Sequence, residues 1–122
     1  MQQHNYYCMN SEIKKQTNTN LVIQEYKITE KIEMPTINPY YKGIEYKYHY
    51  TFTEKSQIRK TDMDSIEYSL EWSKEGHIPS EPIFIPRDDI NYQEDMGIVV
   101  SVVLNTFTNT SYLLFLDAKN MK

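Results

Sequence analysis

The 122-residue chain has little cysteine, glycine or histidine, with one Cys, three Gly and three His. The single Cys8 cannot form an internal disulfide, which fits a reducing compartment. Acidic residues outnumber basic ones by 17 to 13, for a formal net charge of −4. A nucleic-acid surface would show a basic stripe that neutralises phosphates. The sequence has no such stripe and therefore predicts no nucleic-acid partner.

Long apolar runs are also missing. The uninterrupted apolar stretches are far shorter than the roughly 18 residues that span a bilayer. Residues 1–20 have neither the basic start nor the apolar stretch of a signal peptide. These absences predict a cytoplasmic protein with no transmembrane helix. Because residues 1–20 are rich in Asn, Gln, Thr and Lys, we expect a poorly ordered polar leader there and one domain over residues 21–122.

Alternation of apolar and polar residues with period two is the main structural signal that is present. Between Ile44 and Thr53 the aromatic and apolar side chains fall on one face of a strand, and His49 falls on the other with polar residues. One face is predicted to be core, and the other to meet water or a neighbour. A second alternating run starts at Ile66 and ends at Trp72. Aromatic side chains at this spacing usually pack in a core.

Further strands are predicted from short apolar runs bounded by turn residues. Ile98–Leu104 and Tyr112–Leu116 are nearly continuous in apolar residues, as expected of strands covered on both faces. No helix of ten or more residues is predicted. The fold class is therefore all-β, with antiparallel hairpins. Additional strands are expected near Leu21–Tyr26, Gln57–Lys60 and Ile83–Ile85.

An acidic residue between two prolines is the most informative local feature. Glu81 lies in the run Pro79-Ser80-Glu81-Pro82, directly before the short apolar strand. Proline fixes its own φ and biases the preceding residue toward extended geometry. Glu81 is therefore held stiffly at a strand end. Taken alone, a Glu beside a Pro is usually a solvated surface group.

Other motifs accompany this one in a fixed order. They read EMPTIN at residues 33–38, PSEPIF at 79–84, EDMG at 94–97 and LDAK at 116–119. Over about Ile32 to Met121 this set resembles the C-terminal part of the carotenoid cleavage oxygenases, and the form SEPIF resembles their animal branch, which includes the retinoid isomerohydrolase. No motif reaches residues 1–31. The chain departs from the family at Thr36, where Arg is usual, at Met96, where Asp is usual, and at Tyr50-Thr51, where a Gly is missing.

The resemblance implies a fold and a reaction. It implies a seven-bladed β-propeller, of which this chain would supply one to two blades as a C-terminal fragment. The parent would be a non-haem iron(II) dioxygenase that uses O₂ to cleave a conjugated double bond of carotenoids or apocarotenoids and yields carbonyl products. Its partners would be the apolar polyene, O₂ and the remaining blades, with room for peripheral membrane contact through segments outside this chain.

The resemblance also implies what the chain lacks. The family holds Fe(2+) with four His side chains, and none of His4, His49 and His77 matches a ligand motif. We therefore expect the chain alone to bind no metal or other cofactor, to contain no catalytic residue and to be inactive. By motif, Glu33 and Glu81 match two glutamates that accept the second ring N–H of an iron-bound His, an interaction that fixes the imidazole tautomer and plane.

Two other interpretations stay open. The first is a non-catalytic β module that binds an apolar ligand or a protein partner, and the second is a parent of the retinoid isomerohydrolase type. Glu94 and Asp95 precede a Gly and are expected to form a solvated turn without a catalytic role.

Overall fold

The computed structural model describes residues 4–9, 12–17, 23–27 and 35–122. Within them the chain forms β-strands and one short 3-10 helix, Pro39–Tyr41, in which the Tyr40 N–H donates to the side chain of the capping residue Asn38. None of these described residues forms a helix of the length and apolarity that crossing a membrane requires. The strands, in chain order, are β1 (His4–Met9), β2 (Glu12–Thr17), β3 (Ile23–Lys27), β4 (Tyr48–Phe52), β5 (Ile58–Asp62), β6 (Leu70–Trp72), β7 (His77–Pro79), β8 (Ile83–Pro86), β9 (Gly97–Asn105) and β10 (Thr110–Asp117).

All the strand pairings in the described part of the chain are antiparallel, as predicted. The strands form three sheets: β1-β2-β3, β4-β5-β6, and β10-β9 with both β7 and β8 on the far side of β9. β1 and β2 lie within residues 1–20, where the composition led us to expect a poorly ordered leader. The division of the chain at residue 20 stays a prediction.

Two strands are shorter than the alternation predicted. β4 begins at Tyr48, because the chain is still turning at Gly43, whose φ is +77°. β6 begins at Leu70, because the Tyr68 N–H bonds to the Ser65 carbonyl at 2.9 Å and closes a turn. Tyr68 is consequently 77% exposed instead of belonging to the core. Period two in the sequence marks which residues can alternate, and the turns decide where pairing starts.

The core lies between the β4–β6 and β7–β10 sheets. Tyr50 of β4 packs against Phe84 of β8, with ring centroids 5.2 Å apart, and its hydroxyl donates to the Ala118 carbonyl at 3.1 Å. Trp72 packs partly buried against the same cluster, so its prediction as a core residue is confirmed. The fully assembled cluster contains Tyr50, Ile58, Phe84, Val99, Leu116, Ala118 and Met121.

The opposite face of β4 is buried as well. His49, Thr51 and Thr53 are each at most 1% exposed, so this face meets a neighbour and not water. The His49 Nε2 and both threonine hydroxyls have no hydrogen-bond partner within the described structure, which is unusual for buried polar atoms. Burial lowers the pKa of His49 to about 4, so its ring is neutral near pH 7.

The β7–β10 sheet has one face that is apolar and exposed. Its members alternate with the core residues along the same strands, because successive side chains point to opposite faces. An exposed apolar patch of this kind marks an interaction surface. We call it the outer apolar face, and it consists of Ile78, Ile83, Ile85, Ile98, Val102, Leu104, Leu113 and Phe115.

Candidate functional site

β7 and β8 are two halves of one strand that is interrupted at the PSEP motif. Both pair with β9, and the registers place Pro79 opposite Val103 and Ile83 opposite Val100. Between these pairs, three residues (80, 81 and 82) face two (101 and 102). One extra residue on one strand defines a β-bulge, a feature that often re-aims a side chain beside an active site. Glu81 is the central residue of this bulge.

Prolines fix the bulge on both sides. Pro79 and Pro82 are both buried, whereas Ser80 and Glu81 between them are exposed. A proline has no N–H to give to a sheet ladder, so it is tolerated at a bulge or an edge. The backbone of Glu81 is thus anchored from both directions while its side chain leaves the sheet.

The carboxylate of Glu81 is available for a partner. Its side chain makes no hydrogen bond or ion pair with any residue in the described ranges. A carboxylate on an anchored backbone that still has free oxygens can accept an imidazole N–H. Glu33, the other glutamate predicted for this role, lies outside the described residues, three positions before Thr36, which pairs with Tyr50 of β4 through bonds of 2.8 and 2.9 Å.

Glu94 contradicts the expectation of a solvated turn. Its Oε1 accepts the backbone N–H groups of Lys47 and Tyr48 at 2.7 and 2.8 Å, and its Oε2 accepts that of Lys47 at 2.9 Å. Burial raises the pKa of Glu94, although the two backbone N–H bonds act in the opposite direction. The side chain therefore fastens the start of β4 to the turn before β9. Local sequence could not show this, because the partners are 46 and 47 residues away.

Asp95 is also buried, which again corrects the prediction. Its Oδ2 lies 2.8 Å from the Nζ of Lys60 on β5, and Lys60 further donates to the Lys119 carbonyl at 3.1 Å. The Lys60 ammonium also sits 4.1 Å from the ring centroid of Tyr48. Charge, hydrogen bonds and a cation–π contact thus satisfy a lysine that is 5% exposed. The acidic pair of the EDMG motif is structural.

The structure describes the surroundings of two histidine side chains, His49 and His77. His77 Nδ1 is 2.7 Å from the Tyr112 hydroxyl, so that ring bridges β7 and β10. His49 is buried in β4, and His4 begins β1. Among the described residues no three His, Cys, Asp or Glu side chains come together as a metal site.

Two further residues of the site were missed from the sequence. The hydroxyls of Ser80 and Ser101 bridge the two strands at the bulge. Ser101 is 2% exposed and faces inward between Val99 and Val103. One polar residue inside the apolar run of β9 was the signal that could have identified it.

Comparison with known proteins identifies the family. Residues 2–122 match the family described as retinal pigment epithelial membrane protein, RPE65. The chain belongs to this family. The match includes residues 2–31, which no motif reached.

The relatives of this RPE65-family chain include carotenoid dioxygenases. It is 36% identical to a torulene dioxygenase of Fusarium fujikuroi over 96 residues. The aligned segment is 74% of this chain and 16% of that protein. It is 37% identical to a β,β-carotene 15,15'-dioxygenase of Gallus gallus over 101 residues. The aligned segment is 78% of this chain and 19% of that protein. The predicted resemblance to carotenoid cleavage oxygenases is confirmed.

A solved structure supports the predicted fold. The chain superimposes on a cobalt-substituted Synechocystis apocarotenoid oxygenase with a TM-score of 0.75 at 20% identity, covering 97% of this chain and 34% of that one. The predicted all-β fold, part of a β-propeller, is confirmed. The chain spans less than a fifth of the length of the two dioxygenases and a third of the oxygenase structure.

Proposed function

We propose that this chain is the C-terminal part of an iron-dependent oxygenase that cleaves a conjugated double bond of carotenoids or apocarotenoids with O₂. The observation that carries the proposal is the PSEP bulge, which presents Glu81 with free carboxylate oxygens in a chain whose relatives are carotenoid dioxygenases. Bound iron would supply the activation of O₂. The family description leaves a retinoid isomerohydrolase-type parent as a variant of this proposal.

In this proposal, Glu81 accepts the free ring N–H of a histidine that binds iron and comes from another part of the propeller. The negative charge strengthens the imidazole as a donor to the metal, and the fixed position holds the ring plane. Glu33 would act in the same way on a second histidine. In this proposal neither carboxylate binds iron itself.

The test is Glu81→Gln in the complete enzyme that contains this chain. Gln keeps the volume and one oxygen acceptor but loses the charge, so we expect iron retention or turnover to fall about 10- to 100-fold. Iron per protein after dialysis against a chelator and the rate of polyene cleavage are the two readouts. Glu67→Gln is the control, because Glu67 is exposed in a turn, and it should change the rate by less than about twofold.

Unchanged iron content and rate in Glu81→Gln would reject the proposed role. Glu94→Gln is unsuitable as a control, because Glu94 binds the backbone of β4.

The purified 122-residue chain provides a second test. A ferrous site needs several converging imidazoles, so we expect the chain alone to retain no stoichiometric Fe(II) after dialysis and to cleave no carotenoid. Iron bound one to one, measured by elemental analysis, would contradict this expectation and implicate His4, His49 and His77.

A second candidate function is favoured by the outer apolar face. Its eight exposed apolar side chains would suit a non-catalytic module that binds an apolar ligand or a protein partner. The same face would also suit a neighbouring propeller blade. Glu81→Gln distinguishes the two functions, because a non-catalytic module gives the carboxylate no metal ligand to orient.

A further inference from the structure

The ladder between the two strands is rearranged at the bulge. In a regular antiparallel ladder, every second pair of opposed residues exchanges both N–H···O=C bonds. Ser80 and Val102 keep one of these, from the Ser80 N–H to the Val102 carbonyl at 2.8 Å. The returning bond, from the Val102 N–H to the Ser80 carbonyl, is replaced.

Two serine hydroxyls replace it. The Val102 N–H donates at 3.0 Å to the Ser80 Oγ, and the Ser80 carbonyl accepts from the Ser101 Oγ at 2.8 Å. The two hydroxyl oxygens are 3.3 Å apart. The Val102 N–H and the Ser80 carbonyl, which do not bond to each other, therefore both have a hydroxyl partner.

These contacts fix the residue that precedes Glu81. The Ser80 carbonyl belongs to the peptide plane that joins Ser80 to Glu81, so holding this oxygen sets the orientation of that plane. Pro82, fully buried, restrains the following peptide. The direction in which the Glu81 side chain leaves the sheet is thereby determined from both sides.

We infer that Ser80 and Ser101 are positioning residues, which hold Glu81 in the orientation needed to accept the imidazole N–H of an iron-bound histidine. The inference rests on the proposed function and extends it to two side chains that touch neither iron nor substrate. Neither hydroxyl is required for the fold class, since alanine occurs in strands, but a small misplacement of a supporting group weakens a metal site.

The experiment compares hydroxyl deletions in the complete, iron-loaded enzyme. Ser101→Ala removes the donor to the Ser80 carbonyl, Ser80→Ala removes the acceptor for Val102, and Ser80→Thr restores a hydroxyl. Thr106→Val is the matched control, because the Thr106 Oγ1 donates to the Gly76 carbonyl at 2.7 Å in the same sheet, beyond the other end of β7.

The expected result is a faster loss of iron to a chelator in both alanine variants, by about 3- to 10-fold, which is less than the effect of Glu81→Gln. Ser80→Thr should recover most of the loss, KM should stay within about twofold, and Thr106→Val should match the wild type. In the Glu81→Gln background, Ser101→Ala should have no further effect, because a residue that acts through Glu81 is not additive with it.

Two results would overturn the inference alone: alanine variants that retain iron like Thr106→Val, or a Ser101→Ala effect that is equally large with and without the Glu81 carboxylate. Failure of Glu81→Gln itself to change iron retention would instead reject the proposed function, and the inference with it. Thermal unfolding of each variant separates these outcomes from misfolding. If Ser101→Ala does not fold, the Ser80→Ala and Ser80→Thr pair decides.

Discussion

The PSEP bulge and the EDMG turn each present glutamate beside a strand, and the two glutamates are used in opposite ways. The carboxylate of Glu94 is occupied by two backbone N–H groups of the same chain. Glu81 has an anchored backbone, and its carboxylate has no partner in the described structure. An acid whose oxygens are satisfied internally stabilises the fold. An acid held rigidly with free oxygens is available to a group from elsewhere.

The difference follows from where each residue stands in its sheet. Glu94 precedes β9 and reaches the start of β4, so its side chain closes a gap between two sheets. Glu81 lies within a strand, and the bulge removes it from the alternation that would otherwise place it over the core or the outer apolar face. The comparison predicts that changes at the turn reduce stability and that changes at the bulge reduce metal retention.

The largest expected effect on stability is at Asp95. Asp95→Ala leaves the buried Lys60 ammonium without its carboxylate, so the free energy of unfolding should fall by about 3–5 kcal/mol. Urea denaturation of the complete protein measures it. Asp64→Ala is the matched control: Asp64 is 68% exposed and 3.9 Å from the Lys47 Nζ, and its removal should stay within about 0.5 kcal/mol. Equal losses of unfolding free energy in the two variants would show that the Asp95–Lys60 ion pair does not stabilise the fold.

His49 should make stability depend on pH. Its folded pKa of about 4 lies below the ordinary value of 6.5, so the unfolded chain binds the extra proton first as pH falls. Stability is then complete above pH 6.5 and is lost between pH 6.5 and 4, by roughly 3 kcal/mol in total. His49→Gln should lack this component. The measurement is the urea midpoint at pH 7 and pH 5 for both proteins, and equal decreases in the two would contradict the assignment.

The smallest effects compare the two glutamates directly. Glu94→Ala deprives the backbone N–H groups of Lys47 and Tyr48 of their acceptor and should lower the free energy of unfolding by about 1–3 kcal/mol. Glu81→Ala should change it by less than about 0.5 kcal/mol, because its side chain supports no contact in the described fold. Urea denaturation of both variants in the complete protein tests the pair. A larger loss of unfolding free energy in Glu81→Ala than in Glu94→Ala would mean that the bulge glutamate, and not the turn glutamate, stabilises the fold.

Much of the fold could be predicted from local pattern. Nearly continuous apolar runs placed β9 and β10, and β5 and β8 were expected as additional strands. Alternation placed β4, because strand geometry fixes which side chains share a face. The same pattern placed Tyr50 and Trp72 in the core. The prolines around Glu81 predicted a stiff local backbone, and both are buried beside the bulge. Glu33 had an equally specific motif, yet it lies outside the described residues, so its role stays a prediction.

Local pattern failed where partners are distant in sequence. Glu94 and Asp95 were expected to be solvated, since adjacent acids before a glycine usually form a surface turn. Instead the Tyr48 N–H binds Glu94 and the Lys60 ammonium binds Asp95. The requirement for glycine at position 97 also depends on a residue that is distant in sequence. A Cβ there would approach the Ile85 carbonyl oxygen to 2.5 Å, so the strand partner, and not the turn, requires glycine.

The sequence by itself determined the all-β class, the core face of β4 and the stiffness around Glu81, because each depends on residues a few positions apart. Tertiary structure alone decided that PSEP is a bulge, because a bulge exists only when three residues face two on another strand. It also decided that Ser80 and Ser101 share a hydrogen-bonded bridge across 21 positions, and that one glutamate is occupied while the other is free.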